Sequence, residues 1–350
     1  MAQNKLILIG PLNNGQVACT GDTMKNQLFL KRFSEVFDKV MTVDTYHWQK
    51  RPWCLVDMIF KFLFNPKAKI IVSANPGSAD KLIKILNLMK VAKRSFYWVV
   101  GGSFHTMLEN ARFKVVTYAN LAGIFVQGTS METFLHEQGL NNAVYVPNSK
   151  YIHSLPKKYP FNDGKFHFVF LSRIEREKGC DYIIKAAEIL NKSGYKGKFD
   201  ITFFGKTTLN LSYKEEFNRQ VKNNETLIYK GVLDLQKPEN YQELAKYDVM
   251  LFPTFWSGEG FPGVIIDAYI AGLPVIASDW NLNRDVVKEG ETGWIIPTHD
   301  VDALISKMKY VIDNPEEVRK YSENNKNLAM TFDSRSVLSE ENLKRLGVLC

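Results

Sequence analysis

The 350-residue sequence has little of what metal-stabilised or disulfide-stabilised folds require. Its four cysteines, Cys19, Cys54, Cys180 and Cys350, are scattered along the chain. They form no CxxC pair, and no group of histidines has the spacing of zinc ligands. We therefore expect a reducing compartment and no structural metal. No run reaches the roughly 18–20 apolar residues of a membrane span, and MAQNKLILIG predicts a first strand and not a signal peptide. These absences predict a cytoplasmic protein.

Two common nucleotide-binding motifs are also missing after that first strand. Gly10 and Gly15 have the GxxxxG spacing of a P-loop, but Gln16 and Val17 stand where a P-loop has Lys and Ser or Thr. The GxGxxG pattern of dinucleotide-binding enzymes is absent as well. The sequence therefore excludes a P-loop NTPase and argues against a dinucleotide-dependent oxidoreductase.

The excess of positive over negative charge lies in the first half of the chain. The whole chain has a net charge of +8. Residues 1–155 contain 18 Lys or Arg and 9 Asp or Glu, while the remaining residues are close to neutral. A basic half suits either a hydrated surface or a phosphorylated or membrane-bound partner. We expect no nucleic-acid partner, because no recognition motif is present.

Short apolar strands alternate with helical patterns along the whole chain, which predicts an α/β fold with parallel sheets covered on both faces. The predicted strands are 5–10, 40–44, 69–74, 95–102, 123–128, 143–148, 166–172, 199–205, 226–231, 249–253, 274–278 and 293–297. The pattern restarts after a polar stretch at 149–165, which we interpret as a hinge. The sequence thus predicts two doubly wound domains, 1–155 and 156–330, facing across a cleft.

Two loops that follow predicted strands of the second half contain the best candidates for a site. In FLSRIEREKGCDYIIKAAEIL (170–190), Arg173, Arg176 and Lys178 precede a helix, where cations can hold phosphate oxygens, although a hydrated surface loop has the same pattern. In FWSGEGFPGVIIDAY (255–269), a glycine-rich turn opens a helix between Glu259 and Asp267. Such a helix start binds anions, and the two acids can accept hydrogen bonds from sugar and ribose hydroxyls. Each acid alone is equally compatible with a loop acid or a residue that favours the helix dipole.

Three segments in this order resemble the family-4 retaining glycosyltransferases, which have the GT-B fold of two Rossmann-like domains. They are 170–190, KGVLDLQKPENYQELAKYDVMLFPT (230–254), and GEGFPGVIIDAYIAGLPVIASDW with the following turn (258–304). The likeness covers about 168–313. It implies an N-terminal acceptor domain, against which a C-terminal helix at 330–350 packs, and a C-terminal domain that binds a nucleotide-diphosphate sugar.

The resemblance assigns roles to residues of the second half. Arg173 and Lys178 hold the diphosphate, Glu259 contacts the donor sugar, and Asp267 binds the ribose. The glycine-rich turn supplies backbone contacts through Gly258, Gly260, Phe261, Pro262, Gly263 and Val264. The family normally has Glu where this chain has Asp267; Asp keeps the charge and both acceptor oxygens.

The resemblance also implies donor contacts from the first half. Gly15 and Gln16 lie where the family has a glycine-rich loop after the first strand, and His105 follows a predicted strand, as a sugar-facing histidine does in the family. An ordinary loop or cap histidine is the alternative for His105. The segment Asp300-Val301-Asp302 matches the DxD pattern of metal-dependent transferases, but its position predicts a helix cap. We therefore expect no metal and no cofactor besides the nucleotide-sugar substrate.

The stretch HWQKRPWCLVDMIFKFLFNPKAK (47–69) mixes aromatic, aliphatic and basic residues. This mixture suits a helix lying on an anionic membrane surface, and it also suits a core helix with lysines that extend to solvent. The first reading agrees with the lipid-linked acceptors that many members of the family use. It predicts a cytoplasmic protein held at the inner face of a membrane.

The function expected from the resemblance is transfer of a hexosyl or related sugar to a hydroxyl of a sugar or lipid-linked acceptor, with retention, in polysaccharide or glycoconjugate synthesis. Cations that stabilise the leaving diphosphate would make the main contribution to the rate enhancement. Two alternatives stay open: a catalytically silent nucleotide-sugar-binding partner, and a nucleotide-sugar epimerase of the same fold.

Overall fold

The chain folds into two compact units, each built on its own parallel sheet. The computed structural model describes residues 4–13, 21–158, 160–161 and 163–349. One unit consists of residues 1–151 and 332–350, and the other of residues 152–331. Each contains a six-stranded sheet in which the paired strands run parallel. The predicted α/β class is confirmed.

In the first unit, strands alternate with helices that lie on both faces of the sheet. The elements in chain order are β1 (Lys5–Gly10), α1 (Gly21–Val36), β2 (Lys39–Asp44), α2 (Trp53–Phe64), β3 (Lys69–Ala74), α3 (Pro76–Leu88), β4 (Ser95–Val99), α4 (Phe104–Glu109), α5 (Val116–Ala119), β5 (Gly123–Val126), α6 (Thr129–Glu137) and β6 (Ala143–Tyr145). The strand order is β2-β1-β3-β4-β5-β6. In β1, Ile7 and Ile9 pack into one core and Leu6 and Leu8 into another, because successive side chains of a strand point to opposite faces.

The end of the chain belongs to the first unit. Residue 150 forms a parallel bridge with Asp333, and α14 (Ser334–Val337) and α15 (Glu340–Arg345) follow. Leu338 and Leu343 pack with Phe29 and Phe33 of α1. Where one helix was expected over 330–350, the chain forms these two short helices, with Asp333 and Ser339 accepting hydrogen bonds from the backbone at their starts.

The second unit repeats the pattern of alternating strands and helices. Its elements are β7 (Phe166–Leu171), α7 (Cys180–Lys192), β8 (Phe199–Phe204), α8 (Leu211–Lys222), β9 (Leu227–Tyr229), α9 (Tyr241–Leu244), β10 (Val249–Phe252), α10 (Gly263–Ile270), β11 (Val275–Ser278), α11 (Asn283–Val286), β12 (Gly293–Ile296), α12 (Val301–Asp313) and α13 (Pro315–Ala329). The strand order is β12-β11-β10-β7-β8-β9. Asp300 accepts a hydrogen bond from the Ala303 N–H at the start of α12, as its predicted role of helix cap requires.

Every predicted strand corresponds to a strand of the structure, but several predictions extend too far at the carboxyl end. The prediction 95–102, for example, is realised as Ser95–Val99. Gly101 there has a φ of +90°, which turns the chain out of the sheet. Apolar residues such as Val100 continue past the last paired position, so hydrophobicity alone places the strand end too late.

Candidate functional site

The candidate site lies at the carboxyl edge of the second sheet, where the direction of winding changes. Strands β7 and β10 are neighbours there, although the chain passes from β7 to β8 on one side and reaches β10 on the other. Open α/β sheets bind their ligands at the carboxyl ends of the strands at such a switch point. The loops after β7 and β10 are the two loops that the sequence analysis selected.

Close backbone approach joins the two loops. Gly179 has a φ of +83°, and a Cβ on it would lie 2.3 Å from the carbonyl oxygen of Pro253. The N–H of Phe255 donates to the carbonyl oxygen of Glu177 at 2.8 Å. Only glycine fits position 179, and its presence allows the β7 loop to lie directly against the β10 loop.

Lys178 and Glu259 form a buried ion pair across this junction. Lys178 Nζ lies 2.5 Å from Glu259 Oε2, and the two side chains are only 5% and 10% exposed. The Thr254 hydroxyl donates to the same carboxylate oxygen at 3.2 Å. Burial lowers the pKa of Lys178, and the Glu259 carboxylate partly opposes that shift. The predicted cation and the predicted acid therefore contact each other directly.

Arg173 contributes a second, more exposed cation to the same place. Its guanidinium lies 5.0 Å from the centre of the Trp256 ring, and Lys178 Nζ lies 4.2 Å from that centre. Arg173 also donates to Glu175 at 2.8 Å. Cations stack favourably on an indole face, so Trp256 holds both positive groups at one side of the turn.

The turn before α10 presents a helix start as expected, but its donors differ from the prediction. Pro262 precedes the helix and has no N–H, so it offers no backbone donor to an anion. The N–H of Ile265 already donates to the Pro262 carbonyl oxygen at 3.0 Å. Gly263 and Val264, which are half-buried, therefore carry the first-turn amides that can face an anion.

Asp267 lies further along α10 and is almost fully buried. The Tyr241 hydroxyl donates to Asp267 Oδ1 at 2.5 Å. Burial, together with the neighbouring carboxylate, raises the pKa of Tyr241, so the phenol stays protonated and remains a donor. Asp267, which the resemblance predicts to bind the ribose, thus has a specific hydrogen-bond partner from the segment 230–254.

Sequence reasoning missed four residues that shape this site: Thr254, Trp256, Tyr241 and Asn281. Asn281, which has a φ of +46°, donates to the backbone carbonyl oxygen of Glu259 at 2.8 Å. The Trp280 indole donates to the carbonyl oxygen of Trp256 at 2.8 Å. The segment after β11 therefore supports the glycine-rich turn from one side. Trp256 alone had a signal in the sequence, as a large aromatic residue in a glycine-rich loop.

The other predicted donor-binding residues come from the first half of the chain. Gly15 and Gln16 lie outside the described residues. His105 is in α4 of the first unit, where its Nε2 lies 3.3 Å from the Thr106 hydroxyl. Burial lowers the pKa of His105, which favours the neutral imidazole.

A second ionisable cluster lies at the opposite, amino-terminal edge of the second sheet. His167 Nδ1 lies 2.8 Å from Asp200, and Nε2 lies 2.9 Å from Asp163. Burial disfavours the charged ring, but the hydrogen bonds to both carboxylates outweigh burial and raise its pKa. Each ring nitrogen is thus occupied by a carboxylate, which is the geometry of a hydrogen-bonded triad.

Among the described residues, no helix combines the length and the apolar character that crossing a membrane requires.

Comparison with known proteins assigns the family. The model of the family "Glycosyl transferases group 1" matches residues 152–328, which is half of the chain and contains the cluster around Lys178 and Glu259. The capsular polysaccharide biosynthesis glycosyltransferase CapM of Staphylococcus aureus is 28% identical over 190 residues, covering 53% of this chain and 47% of that protein. An Escherichia coli protein named UDP-Gal:alpha-D-GlcNAc-diphosphoundecaprenol alpha-1,3-galactosyltransferase is 28% identical over 154 residues, covering 43% and 38%. The matched segments span less than half of either relative.

Solved structures show the same fold over the full chain. HepE of Anabaena, determined in complex with UDP, superposes with a TM-score of 0.73 over 99% of this chain and 100% of that chain, at 14% identity. The predicted GT-B fold class is confirmed. Because the family model matches half of the chain, the chain belongs to the group 1 glycosyltransferases.

Proposed function

We propose that this chain transfers a hexosyl group from a nucleoside-diphosphate sugar to a hydroxyl of a sugar or lipid-linked acceptor, in the synthesis of a cell-surface polysaccharide or glycoconjugate. The observation that carries the proposal is the cluster of Arg173, Lys178 and Glu259 around Trp256 at the carboxyl edge of the second sheet. The names of the relatives, which include a capsule enzyme and a galactosyltransferase that takes a UDP-sugar, support this choice of substrates.

Departure of the nucleotide leaves negative charge on the diphosphate, and the cluster provides groups that stabilise it. Arg173 offers a planar fork of donors, Lys178 a point charge, and the first turn of α10 its amides. The Lys178 ammonium has three N–H donors, so it can bind a phosphate oxygen while it stays paired with Glu259. We propose that these groups neutralise the leaving diphosphate with no metal and no further cofactor.

We propose that Glu259 orients the donor sugar and does not attack it. Its carboxylate is held by Lys178 and the Thr254 hydroxyl, so it is anchored as a hydrogen-bond acceptor. We therefore propose retention of configuration by front-face attack, in which the leaving phosphate takes the proton of the acceptor hydroxyl. Asp267, oriented by Tyr241, is proposed to bind the ribose, and Gly15, Gln16 and His105 stay proposed donor contacts.

We propose that the chain works in the cytoplasm, against the inner face of the membrane. The acceptor would then be reached at the surface where lipid-linked sugars are displayed.

A panel of nucleotide sugars, measured by thermal shift and by turnover, tests the proposed function. A donor present at a hundred times its dissociation constant adds about 2.7 kcal/mol to the free energy of unfolding. Arg173→Gln is expected to weaken binding of that donor at least tenfold, whereas Arg219→Gln, an exposed arginine in α8, leaves it unchanged. Equal binding by both variants would refute the site, and binding without turnover on any acceptor would identify a silent nucleotide-sugar-binding partner.

A further inference from the structure

Helix α2 of the first unit exposes an apolar face to solvent. Only Met58 and Phe62 of this helix are buried. Six large apolar side chains are between 39% and 78% exposed: Trp53, Val56, Ile59, Phe60, Leu63 and Phe64. At about 100° per residue these six fall within an arc of roughly 140°, opposite the two buried residues. The helix is therefore apolar on two sides, one of which packs on the sheet while the other is uncovered.

The exposed face is held on a rigid support. Arg94 donates to the carbonyl oxygens of Asn65 and Ala68 at 2.8 and 2.6 Å, and to that of Phe62 at 3.3 Å. Lys61, paired with Asp57 on the same helix, donates to the Thr42 carbonyl oxygen at 2.8 Å. The Phe60 and Phe64 rings are stacked, with centroids 6.1 Å apart. These contacts fix both the orientation of α2 and the apolar surface that it presents.

Exposed cations surround this apolar face. Lys50 and Arg51 precede the helix and Lys67 follows it. Beyond its carboxyl end, a groove of about 440 Å³ is lined by Leu63 and Pro66 and by the segment after α3, including the exposed Lys90 and Lys93. The only charged groups within the helix are Asp57 and Lys61, which neutralise each other.

We propose that this face of α2 and its five flanking cations dock on an anionic lipid bilayer, with the helix lying in the plane of the interface. An apolar arc with aromatic side chains, flanked by Lys and Arg, is the pattern of interfacial helices. A second copy of the chain would bring two cationic rims together, and like charges disfavour that pairing. Twelve residues span about 18 Å, which is too short to cross a bilayer.

The purpose of such docking rests on the proposed function, because it would bring a lipid-linked acceptor within reach. The docking itself does not require catalysis. Lipid binding can therefore be measured on the full chain without donor or acceptor, and donor binding can be measured without lipid.

Co-sedimentation with vesicles of phosphatidylglycerol and phosphatidylethanolamine, compared with pure phosphatidylcholine, tests the proposal. We expect binding to the anionic vesicles alone, weakened by salt. Phe60→Ser combined with Phe64→Ser should reduce that binding at least about tenfold. The control, Val116→Ser combined with Leu209→Ser, removes two apolar side chains elsewhere that are at least as exposed, and it should bind as the parent does.

Circular dichroism and soluble-donor binding separate docking from folding and from the proposed function. The Phe60/Phe64 variant should keep its spectrum and its affinity for the nucleotide sugar. The proposal is overturned if the parent chain does not bind anionic vesicles, or if the variant binds them as well as the parent does. It is also overturned if sedimentation velocity reveals a dimer that the same variant dissociates, because a second copy would then cover the face. Failure of donor binding with lipid binding retained would refute the proposed function alone.

Discussion

Lys178→Met is expected to lower the free energy of unfolding of the second unit by about 3–5 kcal/mol, because it leaves the Glu259 carboxylate buried without its cation. The size follows from burial: the two side chains are 5% and 10% exposed, and their charged atoms are 2.5 Å apart. An exposed pair would contribute at most about 1 kcal/mol. Methionine keeps the length of the lysine stem, so little of the loss comes from packing.

Glu259→Gln is expected to cost less, about 1–3 kcal/mol. Burial already lowers the pKa of Lys178, so the unpaired ammonium can release its proton and become neutral. The amide of glutamine also still accepts a hydrogen bond. Combining the two substitutions removes both charges, and the double variant should recover most of the loss, with a coupling energy of at least about 2 kcal/mol.

Urea unfolding followed by tryptophan fluorescence measures these values, since Trp256 and Trp280 lie in the candidate site. The double variant should fold nearly as well as the parent but turn over the donor at least about 100-fold more slowly, because it lacks both the proposed phosphate-binding cation and the negative charge of the carboxylate proposed to contact the donor sugar. If each single variant loses less than about 1 kcal/mol of unfolding free energy, or if the two losses simply add in the double variant, the stabilising role of the buried ion pair is refuted. Parental turnover in the double variant would refute its role in catalysis.

Two further outcomes follow from hydrogen bonds in the second unit. Tyr241→Phe should lower the free energy of unfolding by about 1–3 kcal/mol, because Asp267 loses its hydrogen-bond donor. By calorimetry, it should weaken the binding of ribonucleotides more than that of their 2′,3′-dideoxy forms. Tyr195→Phe removes a hydroxyl that donates to the exposed Asp313, and this control should change neither value. His167 has a raised pKa in the folded state, so its contribution is complete below the ordinary value near 6.5 and is lost as the pH rises through the folded value. Urea unfolding from pH 6 to 9 should show the stability advantage of the parent over His167→Phe shrinking with pH, and an advantage that does not vary with pH would contradict this assignment.

The architecture was predictable because its signals are local. Each buried parallel strand is a short apolar run, and each run is separated from the next by a helical pattern or a polar turn, so the alternation is visible without any tertiary contact. Strand ends were less predictable. Val100 is apolar and buried but unpaired, and it is the backbone turn at Gly101 that ends the strand.

The positions of the candidate site were predictable for the same reason, but the contacts within it were not. Arg173, Lys178 and Glu259 each follow a recognisable strand, and parallel strands bring such loops to one edge of the sheet. That Lys178 pairs with Glu259, 81 positions away, depends on the order of strands in the sheet and on the contact between Gly179 and Pro253. Neither is encoded in the local pattern of hydrophobicity.

Asp267 shows how such long-range contacts change the meaning of a single residue. Judged by itself, the aspartate is one methylene shorter than the glutamate of the resembling family, which suggests a loosened ribose site. In the fold, the Tyr241 hydroxyl already lies 2.5 Å from its carboxylate, so a longer side chain at 267 would have to displace the phenol. Asp267 and Tyr241 therefore fit each other in length, and a buried phenol with a raised pKa keeps donating to the acid. The shorter acid is thus positioned by a partner from another segment, which argues for a retained ribose contact and against loss of function at this position.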